Sequence, residues 1–588
     1  MDSKHVTEST SGQEDIQKTW WKEAIIYQIY PRSFQDSDDD GIGDLNGITS
    51  RLDYIQSLGV DIIWLNPIFL SPNDDNGYDI SDYREIMREF GTMEDFDRLL
   101  KEIHKREMRL VLDLVVNHTS DEHPWFEEAR KSRHNPYYNY YHWWPAEKGE
   151  PPLRLSYFDE EGNAWMYNKS TDSYYLHYFS RKQPDLNWEN PEVRQEIFDM
   201  MRFWFDKGID GFRMDSISLI AKDPSFPLID SKKYPDIFSF YAKEPRLHLY
   251  LHEMNRQVLS IYDCMSVGEG SAVMVDDVAK FVDPAREELN MLYHFDAARI
   301  RNTTLPDNPE SGIDYSLIAL KKMFTEWDKA VDKGWPSIYL GNHDQPRMVS
   351  RFGSDKDEFR ALSAKMLITF LLTMRGTPYW FAGDEIGMRN IRFDRIEDYN
   401  DIDTINRYKK AKAEGKDPQA VLDEQKETGR DNARTPFQWD RSPEAGFTAG
   451  TPWLKVNPDY TWINVADEEK DPTSILNYFK KVVSFRKENP SLIYGSYHLL
   501  DAENPQSYTF LRKTGADTYL IMLNFSPKAT ISTPGIDMSN AHVLLDNYGD
   551  RSHMAPQKDI TLRPFEAIVF QLNHPVYESF IDSLDLLE

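Results

Sequence analysis

The chain has 588 residues, 40% of them hydrophobic and 13% aromatic, enough to bury a large core, which excludes general disorder. Lys and Arg total 68 against 98 Asp and Glu, a net charge of −30, and such a surface repels phosphate backbones and anionic lipid, so no nucleic-acid or membrane partner is expected. The single cysteine, Cys264, excludes an intramolecular disulfide. No run approaches the roughly 18 apolar residues that span a bilayer, and the opening "MDSKHVTESTSGQEDIQ" lacks the apolar core of a signal peptide. A cytoplasmic protein acting on neutral small molecules is the expectation.

In chain order, residues 1–19 read as a flexible leader that docks at Trp20 and Trp21. Buried parallel strands are predicted at "AIIYQIYPRSF" (24–34), "VDIIWLNPI" (60–68), "LVLDLVVNH" (110–118), "DGFRMDSI" (210–217), "DCMSVGEG" (263–270), "LNMLYHF" (289–295), "PSIYLGNHD" (336–344) and "TPYWFAGDEIG" (377–387). Amphipathic helical patterns such as "NPEVRQEIFDMMRFWFDKG" alternate with them. Strand and helix repeating about eight times predict an α/β fold, a closed (β/α)8 TIM barrel over 20–118 and 188–504. Residues 119–187, rich in Tyr, Trp and His, are too long for a loop and read as an inserted subdomain after the third strand. Trp143, Trp144 and Trp165 read as that subdomain's own small core rather than as sugar platforms. The charged stretch 394–428 reads as a solvated helix outside the barrel with no special role. Period-two runs after 505 predict a C-terminal antiparallel β domain over 505–588.

Between the first two strands lies "DSDDDGIGD". Asp36, Asp38 and Asp40 stand two apart, followed by Gly41, the Ile42 carbonyl and Asp44. This matches the first nine positions of a calcium-binding EF-hand loop, but the twelfth position is Gly47, not the bidentate Glu. A structural Ca²⁺ or Mg²⁺ bracing the loop is expected, with no organic cofactor.

Asp215, Glu269 and Asp344 stand at three predicted strand ends, on the rim where TIM barrels place their chemistry. Arg213, two positions from Asp215, emerges on the same face and can keep it ionised despite partial burial, which describes both a nucleophile kept ready and a plain structural ion pair. One carboxylate as nucleophile and a second as acid then base are what retaining cleavage of a glycosidic bond needs.

The motifs "DLVVNHTS" (113–120), "QPDLNW" (183–188), "GFRMD" (211–215), "MSVGEG" (265–270), "GNHDQPR" (341–347) and "GRDNARTPFQW" (429–439) together resemble the α-amylase superfamily of retaining glycosidases, in its oligo-1,6-glucosidase and α-glucosidase branch. The resemblance runs from Trp20 to about Phe570. It implies Asp215 as nucleophile, Glu269 as acid/base and Asp344 as transition-state stabiliser. It also implies a glucose pocket in which Tyr78 stacks on the ring and Asp75 pairs with Arg430 to close the inner end. His118 and His343 would donate to hydroxyls, with Phe179 and Gln183 lining the wall. It places a metal at 36–44 as well. Ser216 departs from the valine that accompanies α-1,6 and the threonine that accompanies α-1,4 preference in this branch. The expected activity is an exo-acting α-glucosidase on short oligosaccharides, favouring α-1,6 links. Sucrose isomerisation or glucosyl transfer, with Arg299 and Arg301 in "FDAARIRN" as a partial arginine-rich match, is the alternative. A non-catalytic transporter partner is the more distant one, since such members lack the full acid set.

Overall fold

The computed structural model describes residues 18–572 apart from 159–161, 235, 516, 539–540 and 552–557. The expected leader therefore lies almost wholly outside the described residues.

Eight parallel strands form one sheet: β1 Ile26–Ile29, β2 Ile62–Leu65, β3 Arg109–Val115, β4 Gly211–Asp215, β5 Met265–Glu269, β6 Met291–Tyr293, β7 Ser337–Ile338 and β8 Thr377–Phe381. Each lies within a run predicted above, except that β3 begins one residue earlier, at Arg109. The ladder runs β6-β5-β4-β3-β2-β1-β8-β7. Among the described residues no backbone pairing joins β6 to β7; instead Ser337 Oγ donates to the Leu292 carbonyl at 2.9 Å, and Tyr339 OH donates to the His294 carbonyl at 2.6 Å. Side chains thus close the barrel where the ladder stops. Its lumen is filled, not open: Ile26, Ile62, Trp64, Val111, Val267, Met291 and Tyr379 are packed together there.

Helix boundaries follow their caps. The helix Pro191–Lys207 starts with Asn190 accepting from Glu192 N and Pro191 in the first turn, and it ends on Gly208 at φ 109°. Three residues later Gly211 opens β4, where a Cβ would sit 2.3 Å from the Met265 carbonyl oxygen, so only glycine lets β4 and β5 approach.

Residues 119–187 leave the barrel after β3. They carry a three-stranded antiparallel sheet (Trp143–Pro145, Trp165–Asn168, Ser173–Leu176) and return through bridges His118–Asp185 and Tyr141–Leu186. Trp143 stacks on Tyr138 within this unit at 4.8 Å, while Trp165 is buried against Phe226, which follows β4 and lies outside 119–187. Its attachment is ionic. The Lys222 ammonium, fully enclosed, meets Asn117 Oδ1 at 2.6 Å and Asp185 at 3.0 Å.

The C-terminal sheet begins at Ser496–Leu500, which pairs with Ser507–Thr514, so the 505 boundary read from sequence falls inside it. The strand SYHLL follows the helix Ser491–Tyr494 after the single residue Gly495. Lys321, on a barrel helix, anchors this domain by donating to the carbonyls of Asp501, Asn504 and Ser507. Residues 402–428 form two helices, α1 Ile402–Ala413 and α2 Pro418–Thr428, packed together beside the barrel mouth. Among the described residues no helix is long and apolar enough to cross a membrane.

Candidate active site

The C-terminal ends of β3, β4 and β5 converge on Arg213. Its Nη1 donates to Asp113 and to Asp215, both at 2.8 Å; Nη2 meets Glu269; Nε reaches Tyr293 OH at 2.8 Å. One fully buried guanidinium therefore serves three carboxylates. Asp215 and Glu269 also lie close enough for a shared proton to link them.

Burial outweighs the arginine for each acid. The Asp215 carboxyl is pushed up to about 6, chiefly by desolvation and against the pull of Arg213. The guanidinium, divided among three partners, limits that rise. Glu269 is pushed further, to about 8, by burial and then by the charges of Asp215 and Asp344, again with Arg213 opposing. Asp113 stands at about 6 for the same first reason.

Asp344 is different. Burial would raise its carboxyl, but His343, Arg430, Arg434 and Arg213 together hold it well below the usual carboxylate range. Its Oδ1 accepts from Arg434 at 2.8 Å and Arg430 at 3.2 Å, and His343 Nε2 lies 3.2 Å from Oδ2. Three acids on one rim thus carry three different proton affinities, the pattern that separates acid from base roles.

The remaining predicted residues gather round this cluster. Tyr78 lies parallel to His343, with centroids 5.3 Å apart, and its hydroxyl bonds Asp113 at 2.8 Å and His343 Nε2 at 2.6 Å. His343 Nδ1 meets Gln28 at 2.8 Å, so both its ring nitrogens already have protein partners. His118 Nε2 lies 3.0 Å from the Tyr78 carbonyl, and burial lowers both histidines to about 3, leaving them neutral. Phe179 packs on His118 at 5.0 Å, and Gln183 Nε2 donates to Asp75 Oδ2 at 3.1 Å. Asp75 meets Arg430 at 3.5 Å, and its carboxyl is pushed up to about 7 by burial despite Arg430 and Arg434. Ser216 is buried at φ 43°, with its backbone N–H 3.4 Å from Glu269.

Sequence reasoning missed Asp401, Arg434, Asp113 and Tyr293. Asp113 stood in the quoted motif "DLVVNHTS", two residues into β3 from Val111 and level with Arg213 in the ladder, a register that could have placed it. Asp401 overturns the reading of 394–428 as roleless. It sits at the head of α1, is 1% exposed, and takes Arg430 Nε at 2.7 Å. A single aspartate in a charged stretch gives no local sign of that burial. Arg299 is exposed on the helix Asp296–Thr303, and the Arg301 side chain lies outside the described residues.

The acidic loop is a separate place. Asp36, Asp38 and Asp40 each bring a carboxylate oxygen within 4.8 Å of the others. Asp44 stands apart from this group. Its oxygens accept from Ser37 N, Ser37 Oγ and Gly47 N, capping the helix Leu45–Ser50. Gly41, at φ 92°, makes the turn, and a Cβ there would sit 1.9 Å from the Thr451 carbonyl oxygen.

Residues 28–495 match the family described as alpha amylase, catalytic domain. The chain belongs to the α-amylase family. Within that family it is 51% identical to the oligo-1,6-glucosidase of Parageobacillus thermoglucosidasius over 95% of this chain and all of that one. It is 49% identical to the oligo-1,6-glucosidase of Bacillus cereus over the same share of each. Among solved structures, the isomaltulose synthase SmuA from Protaminobacter rubrum superposes with a TM-score of 0.89 at 43% identity, covering 95% of this chain and 100% of that one.

Proposed function

We propose that this α-amylase family member is an exo-acting retaining α-glucosidase that hydrolyses short oligosaccharides from the non-reducing end, α-1,6 links before α-1,4. The observation that carries the reading is the divided proton affinity of Asp215 and Glu269 on one guanidinium, about 6 against about 8. At neutral pH the first is an anion fit to attack an anomeric carbon, and the second holds a proton to give to the departing oxygen. Asp215 displaces the aglycone and forms a glucosyl ester while Glu269 protonates the leaving oxygen. Glu269, now anionic, takes a proton from water as that water attacks C1, and Asp215 leaves. Asp344, always charged, bears on the oxocarbenium-like transition state. The Asp75–Arg430 pair, with Gln183 behind Asp75, suits a closed end that admits one glucose unit. The most similar relatives cited are named oligo-1,6-glucosidase, which supports the α-1,6 preference despite Ser216.

The loop at 36–44 fits a hard divalent cation, Ca²⁺ or Mg²⁺, because its three grouped donors are carboxylate oxygens. Asp36, Asp38 and Asp40, with the Ile42 carbonyl, would hold it. It would brace the loop and supply no chemistry. The single cysteine suits a reducing compartment, the cytoplasm.

A kinetic panel of isomaltose, maltose, sucrose and trehalose, with product anomers followed by NMR, tests this. Isomaltose should give the highest kcat/KM and α-glucose should appear first. Initial release of β-glucose would remove retention, and isomaltulose or trehalulose as the main product from sucrose would make the protein an isomerase.

A further inference from the structure

The cleft's charge order depends on a residue that the reaction itself does not use. Asp401 precedes α1 and splits its carboxylate between two tasks. Its Oδ2 caps the helix, accepting from Thr404 N at 3.0 Å and Thr404 Oγ1 at 2.7 Å. Its Oδ1 faces the cleft, accepting from Arg430 Nε at 2.7 Å, with Arg430 Nη2 at 2.5 Å and Arg434 Nη1 at 3.7 Å. Those two arginines are the ones that reach Asp344, and Arg430 also reaches Asp75. Of the three carboxylates around Arg430, Asp401 makes the shortest contact, 2.5 Å against 3.2 Å to Asp344 and 3.5 Å to Asp75. It is also 1% exposed, so the pair is held against a rigid support. Two adjacent guanidinium groups repel each other, and Asp401 is the anion placed between them and the outer helices.

The geometry points to Asp401 as the positioning residue of the glucose pocket: its carboxylate fixes Arg430 between Asp344 and Asp75. The inference rests on the functional reading above. The stretch judged roleless from its composition would thereby deliver one side of the cleft, and α1 would be the strut that carries it. Asn406, one turn further along α1, ties the same helix to the inserted subdomain by donating to the Phe158 carbonyl at 2.6 Å, and Arg430 lies over the Phe158 ring at 4.9 Å.

Asn is as good an N-cap as Asp but has one acceptor oxygen where the carboxylate has two. In Asp401→Asn the oxygen can cap α1 and then presents its amide to Arg430, so the cap survives while the charge contact is lost. We expect an unchanged Tm, kcat/KM for isomaltose reduced at least tenfold, and part of that loss in KM because Asp75 and Arg430 bind the ground state. Adding Asp401→Asn to Arg430→Ala should cost less than twofold more, since the effect passes through Arg430. A single-variant loss under tenfold, a lowered Tm that accounts for the loss, or full additivity with Arg430→Ala overturns the inference. Wild-type protein inactive on every α-glucoside would overturn the functional reading and this inference with it, whereas active wild type with an unaffected variant overturns this inference alone.

Discussion

The carboxylates of the barrel rim and those of the 36–44 loop gather among different neighbours. Around Asp344 the groups that act most strongly are His343 and the guanidinium groups of Arg430, Arg434 and Arg213, all lowering its proton affinity. Around Asp40 they are Asp38, Asp36 and Glu89, all raising it. The rim acids are compensated by arginines built into the chain. The loop acids have backbone N–H groups and a threonine: Asp36 accepts from Asp38, Asp39 and Gly41 N–H and from Thr448 Oγ1. Fixed side-chain cations let a carboxylate remain charged in a cleft and do work. A loop without them leaves its carboxylates to raise one another's proton affinity. Residue type is the same in both; the counter-charge decides the use.

The largest expected effect lies on the rim. Asp215→Asn should lower kcat by about 10⁴-fold or more. It should also leave Tm unchanged or raised, because the native carboxyl is held above its ordinary value and its ionisation works against the fold. A variant that kept near-normal turnover would take Asp215 out of the mechanism.

The pH profile sharpens the same side. The kcat/KM of the wild type should rise through about 6 as Asp215 loses its proton and fall through about 8 as Glu269 loses its own. The two limbs belong to the linked pair. Glu269→Gln should erase the alkaline limb on an aryl glucoside whose leaving group needs no proton, and a limb that persists there would belong to another group. The stability signs run oppositely. Asp215 and Glu269, raised in the fold, cost stability progressively as pH climbs from their ordinary values of 3.8 and 4.5 toward about 6 and about 8. Asp344, lowered in the fold, contributes stability above 3.8 that is lost as pH falls below it.

The smallest effect concerns the loop. Chelation should lower Tm by a few degrees, on the order of what ~2 kcal/mol of ion linkage supplies, with kcat unchanged at temperatures where the fold holds. Asp40→Asn should then raise the Tm of chelated protein by easing repulsion while shrinking the gain on adding Ca²⁺. An identical melting curve with and without chelator would leave the loop acids to their backbone donors alone.

Much of this was legible in the sequence because it is local. Strands buried on both faces read as short apolar runs, and all eight barrel strands lie where such runs fall. Asp215 and Arg213 share a face because a strand has period two. What sequence could not supply was the partner across space. Nothing near Lys222 says that its ammonium will be enclosed by Asn117 and Asp185, and nothing near Asp401 says that Arg430, well along the chain, will end on it. Nor could the two-residue spacing show that Asp113 and Glu269 compete with Asp215 for the same guanidinium.

The joint between β6 and β7 has a mechanical consequence. Seven of the barrel's eight joints are knitted by backbone ladders, while this one is held by two hydroxyls from Ser337 and Tyr339. On warming this joint should part first, and amide exchange should start there. Glu269 stands on β5, which is laced on both sides but borders β6 directly, one stave nearer the joint than Asp215 on β4. Heat should therefore unsettle the proton donor before the nucleophile, and the enzyme should lose activity while most of its fold still stands.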